Sequence, residues 1–207
     1  KAGNRQYYGN ETDNYYSDIA QLLYSRHLTD ALTLNANLSW NHGFGYYENY
    51  KTGRKYSSFG LKNQSIDGVT YKKSDMIRQK LMENDFYVAN LSSTYTTEKL
   101  KIDAGVMLSR FSGEHYGKLP WIQYWENSNP VNLTTFEWYR NYSNKTEFNA
   151  FAKAQLQITS QLSAFIDLQG RFIRYEMKGI DDDFADLEDT NNYNFFNPKA
   201  GLFYQLN

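Results

Sequence analysis

The stretch Leu32-Thr33-Leu34-Asn35-Ala36-Asn37-Leu38-Ser39-Trp40-Asn41 alternates apolar and polar residues without an error. A half-buried β-strand puts every second side chain on the same face, so this pattern predicts a strand with one apolar and one polar side. The same period returns along the chain. Leu100, Ile102, Ala104, Val106 and Leu108 interleave with Lys101, Asp103, Gly105, Met107 and Ser109. Phe148, Ala150, Ala152, Ala154, Leu156 and Ile158 form a third series, and Leu162, Ala164, Ile166, Leu168, Gly170 and Phe172 a fourth. Two further strands are expected around 84–96 and 195–206, and a poorly alternating one around 15–27. The expectation is seven strands in an all-β, antiparallel up-and-down meander.

Composition agrees with that class. Of 207 residues, 17% are aromatic, led by 19 Tyr and 13 Phe, and there are 3 Pro. Mean hydropathy is −0.74, and no run approaches the ~18 apolar residues of a membrane-spanning helix. The chain has no cysteine, which excludes a disulfide framework, a zinc ribbon and a thiol nucleophile. A net charge of −1 argues against a nucleic-acid partner, which normally meets a basic patch.

Strand length and connection length carry the reading further. Several alternating runs span ten to thirteen residues, whereas soluble strands average ~5–6 and a transmembrane β-strand needs ~9–11. Tight turns are expected near 28–31, 97–99 and 159–161. Connections of some twenty to forty residues are expected near 42–83, 112–143 and 176–194. Short turns on one side and long loops on the other is the plan of an outer-membrane barrel.

A soluble β-sandwich also alternates, so the distribution of residues on the apolar face decides between them. Leu34, Leu38, Ala104, Val106, Ala152, Leu156, Ile166, Leu168 and Leu202 form an aliphatic middle, expected to face lipid. Rings gather at its ends: Trp40, Tyr87, Phe148, Phe172 and Phe196 on the loop side, Tyr95 and Tyr204 on the turn side. This reads as two aromatic girdles around an apolar band. Ten residues at ~3.3 Å, tilted ~40°, rise ~25 Å, the height of such a band. Arg110 and Arg174 continue the outward register just past it, at headgroup depth. The opposite face carries Lys101, Asp103, Lys153, Asp167 and Arg171 at mid-strand, charges that need a wet or paired interior.

Four segments, in order, resemble a known family. Gly43-Phe44-Gly45-Tyr46-Tyr47-Glu48-Asn49-Tyr50-Lys51 is similar to a G-x-G-Y-Y-E-x-Y-K segment of TonB-dependent outer-membrane receptors of the Bacteroidetes group. Arg78-Gln79-Lys80-Leu81-Met82-Glu83-Asn84-Asp85-Phe86-Tyr87 resembles their R-x-K-x-L-D-N-D-F-Y strand entry, with Met82 for Leu and Glu83 for Asp. Gly113-Glu114-His115-Tyr116-Gly117 followed by Trp121 resembles a G-x-H-[FY]-G…W stretch, and Asn197-Pro198-Lys199-Ala200-Gly201-Leu202 an N-P-K-x-G-L strand opening. The resemblance implies import of a bulky, scarce nutrient across the bacterial outer membrane, with an iron–siderophore, haem or cobalamin as usual cargo and a glycan as the alternative. It also implies a barrel of about 22 strands closed around a plug that the TonB complex pulls. No candidate for that plug is present, and seven strands with ends on opposite sides cannot close alone. Residues 1–207 are therefore expected to be one partial barrel domain. Its expected partners are outer-membrane lipid, a small-molecule or glycan ligand at the extracellular loops, and the TonB complex through a plug absent from this chain.

The stretch 112–143 has the densest set of candidate ligand-binding residues: Tyr116, Trp121, Tyr124, Trp125, Trp138 and Tyr139. Flat rings stack on sugars, catechols and macrocycles; the same rings can instead pack the loops into a small core above the membrane. Asp181, Asp182, Asp183, Asp186, Glu188 and Asp189 do not match the EF-hand spacing and read as a solvated acidic loop. His27, His42 and His115 stand apart from one another. No metal site and no cofactor is expected. With no H-E-x-x-H, G-x-S-x-G or phosphate-binding glycine loop, neither is an enzyme. The alternative from another class is a secreted β-sandwich that binds carbohydrate through Trp121, Trp125 and Trp138.

Overall fold

The computed structural model describes residues 8–9, 11–126 and 128–206. Residues 1–7, 10, 127 and 207 of the expected domain lie outside the described set. The long strands are β1 (Thr12–His27), β2 (Leu32–Lys55), β5 (Lys73–Thr96), β6 (Leu100–Ile122), β7 (Glu137–Gln157), β8 (Leu162–Ile180) and β9 (Asp189–Tyr204). They form one seven-stranded sheet in the order β1-β2-β5-β6-β7-β8-β9, every pair antiparallel. The short strands β3 (Gln64–Ile66) and β4 (Val69–Tyr71) make a separate hairpin within the β2–β5 connection, after a single 3₁₀ turn at Tyr56–Phe59. The meander of seven strands is as expected.

The three tight turns share one chemistry. Thr29 Oγ1 accepts from the backbone N–H of Leu32 at 3.0 Å, Thr97 Oγ1 from Leu100 at 3.1 Å, and Thr159 Oγ1 from Leu162 at 3.0 Å. A threonine hydroxyl that satisfies the backbone three residues on holds a reversal without a glycine. Each turn also accepts a backbone bond from the next strand: Thr96 N–H donates to Ala31, Gln157 to Lys99 and Gln205 to Gln161. All three turns therefore lie at one end of the sheet.

The strands are longer than alternation indicates. They run 16 to 24 residues, and the breaks at the loop end shrink to 56–72, 123–136 and 181–188, apart from the β3–β4 hairpin. The expected long loops near 42–83, 112–143 and 176–194 are thus corrected to strand over much of their length. Beyond Trp40 both faces of β2 carry rings and polar groups, so no apolar period marks the extension. The backbone ladder continues because neighbours on both sides satisfy it. Three irregularities fall in this extension. The β2–β5 register shifts between Lys51 and Arg54, where Gly53 adopts φ +57°. The β5–β6 register shifts between Ile77 and Gln79, opposite Pro120, and the β6–β7 register shifts at Gly117/Lys118, opposite Trp138. A proline, which has no N–H to give the ladder, is tolerated at such a bulge.

The buried apolar cluster is at this end too. Tyr56, Phe59, Leu61, Met76, Leu119, Ile122, Trp138 and Tyr139 form it, with Tyr71, Trp125, Val131, Leu133 and Phe136 packed around. Among the described residues the middle of the sheet has no such core, and its apolar side chains lie open.

Candidate functional site

Cross-strand register fixes which residues share a face. Leu34 lies in a row with Ser93, Ala104, Ala152 and Leu168, and Leu38 with Ala89, Leu108, Phe148 and Phe172. Leu156 pairs Leu100 and Ala164, which pairs Leu202. All the aliphatic residues singled out in the sequence therefore sit on one face of one sheet, together with Val106 and Ile166. Among the described residues nothing covers that face: Leu38 is 55% exposed and Leu202 75%.

The rings bound this face at both ends, and their positions drift. The row of Trp40 runs through Tyr87, Arg110, Thr146 and Arg174 to Asn192. The loop-end rings of β7 and β8, Phe148 and Phe172, lie two residues nearer the turns than that row, and Phe196 of β9 lies four residues nearer. At the turn end the row of Tyr95 reaches Ala200, and the β9 ring is Tyr204, again four residues on. Both boundaries thus slide the same way by the same amount.

The opposite face is polar and charged. Asp103, Lys153, Asp167 and Lys199 form one cross-strand row of alternating sign, an arrangement that favours pairing. Nearer the loop end Glu147, almost fully buried, accepts from Arg171 Nε at 2.5 Å and Nη2 at 2.9 Å, with Lys145 Nζ at 3.1 Å.

Several rings on this face lie on bare backbone. Tyr15 pairs Gly45, Tyr139 pairs Gly117, Phe151 pairs Gly105 and Phe165 pairs Gly201. A Cβ on Gly45 would stand 2.5 Å from Tyr15 Cδ2, and one on Gly117 would overlap the Trp138 and Tyr139 rings. The glycines of three of the sequence segments therefore serve as seats for rings.

At the loop end of the polar face is a cavity of about 290 Å³ walled by Tyr15, Tyr47, Met82, His115 and Tyr139, with Lys80 and Asp181 at its side. Lys80 is ion-paired to Asp182 and stands 5.7 Å from the Tyr139 ring. Burial, and then the charge of Asp182, push the Tyr139 phenol well above the ordinary tyrosine range, so it stays a neutral donor. Rings, a thioether and an imidazole around such a volume suit stacking on a flat group with hydrogen bonds at its edge.

The six ring residues expected to bind ligand separate. Trp138 and Tyr139 are 6% and 7% exposed on β7, and Trp138 meets Phe59 edge-on at 5.2 Å. Tyr116, on β6, is buried on the side of the apolar face, with the Arg140 guanidinium 4.0 Å above its ring. Arg140 is held by Glu137 at 2.7 Å and Glu114 at 2.6 Å, bonds that raise its already high pKa further, Glu137 contributing most. Trp121, next to last in β6, stacks on Tyr50 at 6.1 Å; Tyr124 stacks on Tyr71 at 4.2 Å; Trp125 packs against the cluster. Of the six, Tyr139 lines the cavity. The partners it meets there, Tyr15, Tyr47 and Met82, were not read as site residues. Their signal was parity: in Gly43–Lys51 the odd positions belong to the face opposite Trp40. The acidic residues 181–189 hold no cluster of metal-ligating groups among the described residues.

Compared with known proteins, the sequence matches no protein-family model and none of the curated proteins.

Proposed function

We propose that this chain is a segment of the large transmembrane β-barrel, of about 22 strands, of a TonB-dependent outer-membrane receptor that binds and imports a bulky nutrient. The observation that carries the reading is the shared drift of the two ring boundaries. Four residues at ~3.3 Å make ~13 Å of slide, against four or five strand spacings of ~4.8 Å, an angle of roughly 30–35°. A lipid slab of constant thickness crossing strands tilted by ~35–45° requires such a slide at both faces of the membrane together. The uncovered apolar face supports the same reading, as does the alternating charge on the other face, which suits a wet interior. A carbohydrate-binding sandwich needs a second sheet over the apolar face, and among the described residues the remaining strands are the hairpin β3–β4. The two sheet edges, β1 and β9, are where further barrel strands would pair. Lipid covers the apolar face, the loop end is extracellular, and the cavity at Tyr15, Tyr47, Met82, His115 and Tyr139 is a ligand-contacting wall, with an iron chelate, haem or cobalamin favoured and a glycan as the alternative. No catalytic role is assigned.

The test is expression of the receptor that contains this chain, with membrane fractionation and cargo uptake. Recovery in the outer membrane, with uptake lowered by Tyr47→Ala and by Met82→Ala at unchanged receptor abundance, is expected. Recovery as a detergent-independent soluble monomer would exclude the proposal.

A further inference from the structure

Just inside the loop-end ring boundary, the apolar face is hollow. A depression of about 700 Å³ crosses β1, β2, β5 and β6, its floor made by small residues, Ala89 between Leu38 and Leu108 and Ala20 beside Trp40. Its rim on the loop side is Trp40, Tyr87, Arg110 and Thr146. Further toward the turns on β5, β6 and β7 lies a second depression of about 330 Å³, among Leu91, Ser93, Ala104, Val106 and Ala150. From Arg110 to Ala104 the strand covers ~20 Å, enough for an extended acyl chain.

Two guanidinium groups stand at its β6 side, Arg110 on the rim and Arg174 two strands further along the same row. Arg110 is exposed and makes no hydrogen bond or ion pair among the described residues. In the same row Thr146 stands between Arg110 and Arg174, so the two guanidinium stems are ~10 Å apart across an exposed hydroxyl. Arg174 is paired with Glu176 at 2.5 Å, but that pair is exposed and so weak. The nearest carboxylate across from Arg110, Asp85, is already engaged by Trp40 Nε1 at 2.8 Å and His42 Nδ1 at 3.2 Å.

We propose that this hollow is a specific lipid site, taking an acyl chain in the depression and a phosphomonoester headgroup between Arg110, Thr146 and Arg174. The inference rests on the membrane reading above. Charge chooses the occupant: a zwitterionic headgroup presents its own cation to two arginines, whereas a phosphomonoester presents acceptors to both forks and to the hydroxyl.

The experiment reconstitutes the receptor containing this chain in phosphatidylcholine nanodiscs with a minor fraction of phosphatidic acid, and counts retained lipids by native mass spectrometry. Retention of phosphatidic acid over phosphatidylcholine by roughly tenfold, the ratio that 1.4 kcal/mol gives, is expected. Arg110→Gln with Arg174→Gln should bring the ratio to one. Ala89→Phe, which fills the hollow, should lower retention of both lipids. Parity in the wild-type protein, or a preference that survives the double substitution, would overturn the proposal without touching the receptor reading. Displacement by inorganic phosphate would mark a free-anion site, and a lipid-free dimer would give the hollow to a second copy; either result overturns the lipid assignment. A receptor that does not enter the discs overturns the membrane reading and this site with it.

Discussion

Replacing Gly117 by alanine asks whether rings seated on bare backbone hold the loop end of the sheet together. A methyl group there would lie inside both the Trp138 and Tyr139 rings' contact distance, far closer than the ~3.5 Å at which carbon atoms attract. Trp138 has little room to yield, and Tyr139 can move only toward the cavity it lines. Trp138 is fixed edge-on by Phe59 at 5.2 Å and by Tyr139 at 5.0 Å, and both are buried. Overpacking of this kind costs about 1–3 kcal/mol. Restricting the unfolded chain returns ~0.4–1 kcal/mol. A net loss of about 1–2 kcal/mol is therefore expected, which moves a urea midpoint by roughly 0.5–1 M at a slope near 2 kcal/mol/M. Tryptophan fluorescence is the assay, because Trp121, Trp125 and Trp138 of the 4 tryptophans belong to this end. Gly170→Ala is the control, since its Cβ would meet Phe172 at an ordinary 3.5 Å. Identical midpoints for the two variants would refute the reasoning.

Three other outcomes are expected. If the proposed barrel forms, Val106→Arg, at the middle of the apolar face, should cost roughly 2–4 kcal/mol in it, and Gln155→Arg on the polar face much less; the folded fraction on unheated gels measures both, and equal penalties would remove the membrane proposal. Glu147→Gln leaves Arg171 and Lys145 beside a buried amide, and a loss of about 2 kcal/mol is expected after allowing for the exposure of the two cations; denaturant unfolding at constant pH reads it. The hydrogen bond from Tyr50 at 2.5 Å, with that from the Gly53 N–H at 2.8 Å, holds the Asp75 carboxyl below its ordinary range. A carboxyl lowered by folding adds stability above its unfolded value and loses it as pH falls through the folded one, so Asp75→Asn should flatten the acid side of the stability profile, and an unchanged profile would show that these bonds contribute nothing.

What could be read before the structure was everything that depends on period. Leu32–Asn41 and its three counterparts fix strand, face and the short turns, because a side chain's face in a strand follows from parity alone. Alternation failed where both faces are occupied. From His42 to Lys55 and from Phe111 to Ile122, rings and charges fall on either side, and the extended strands looked like loops. Ring density in 112–143 was visible, but its meaning was not: a ring that stacks on ligand and one that packs on Phe59 have the same sequence signal.

The sequence by itself determined the class, the seven-strand order of pairing between chain neighbours, and the membership of each face, since these need local period and short connections only. The tertiary structure alone decided the rest. The drift of the ring boundaries needs the register between strands far apart in the chain, which parity leaves free in steps of two. The seating of Tyr15 on Gly45 and of Tyr139 on Gly117 needs cross-strand partners, as does the cavity between them. The hollow headed by Arg110 depends on which small side chains fall side by side on four strands. Each is a property of residues brought into contact across strands, and the hydrogen-bonded register that sets those contacts is fixed by the whole sheet.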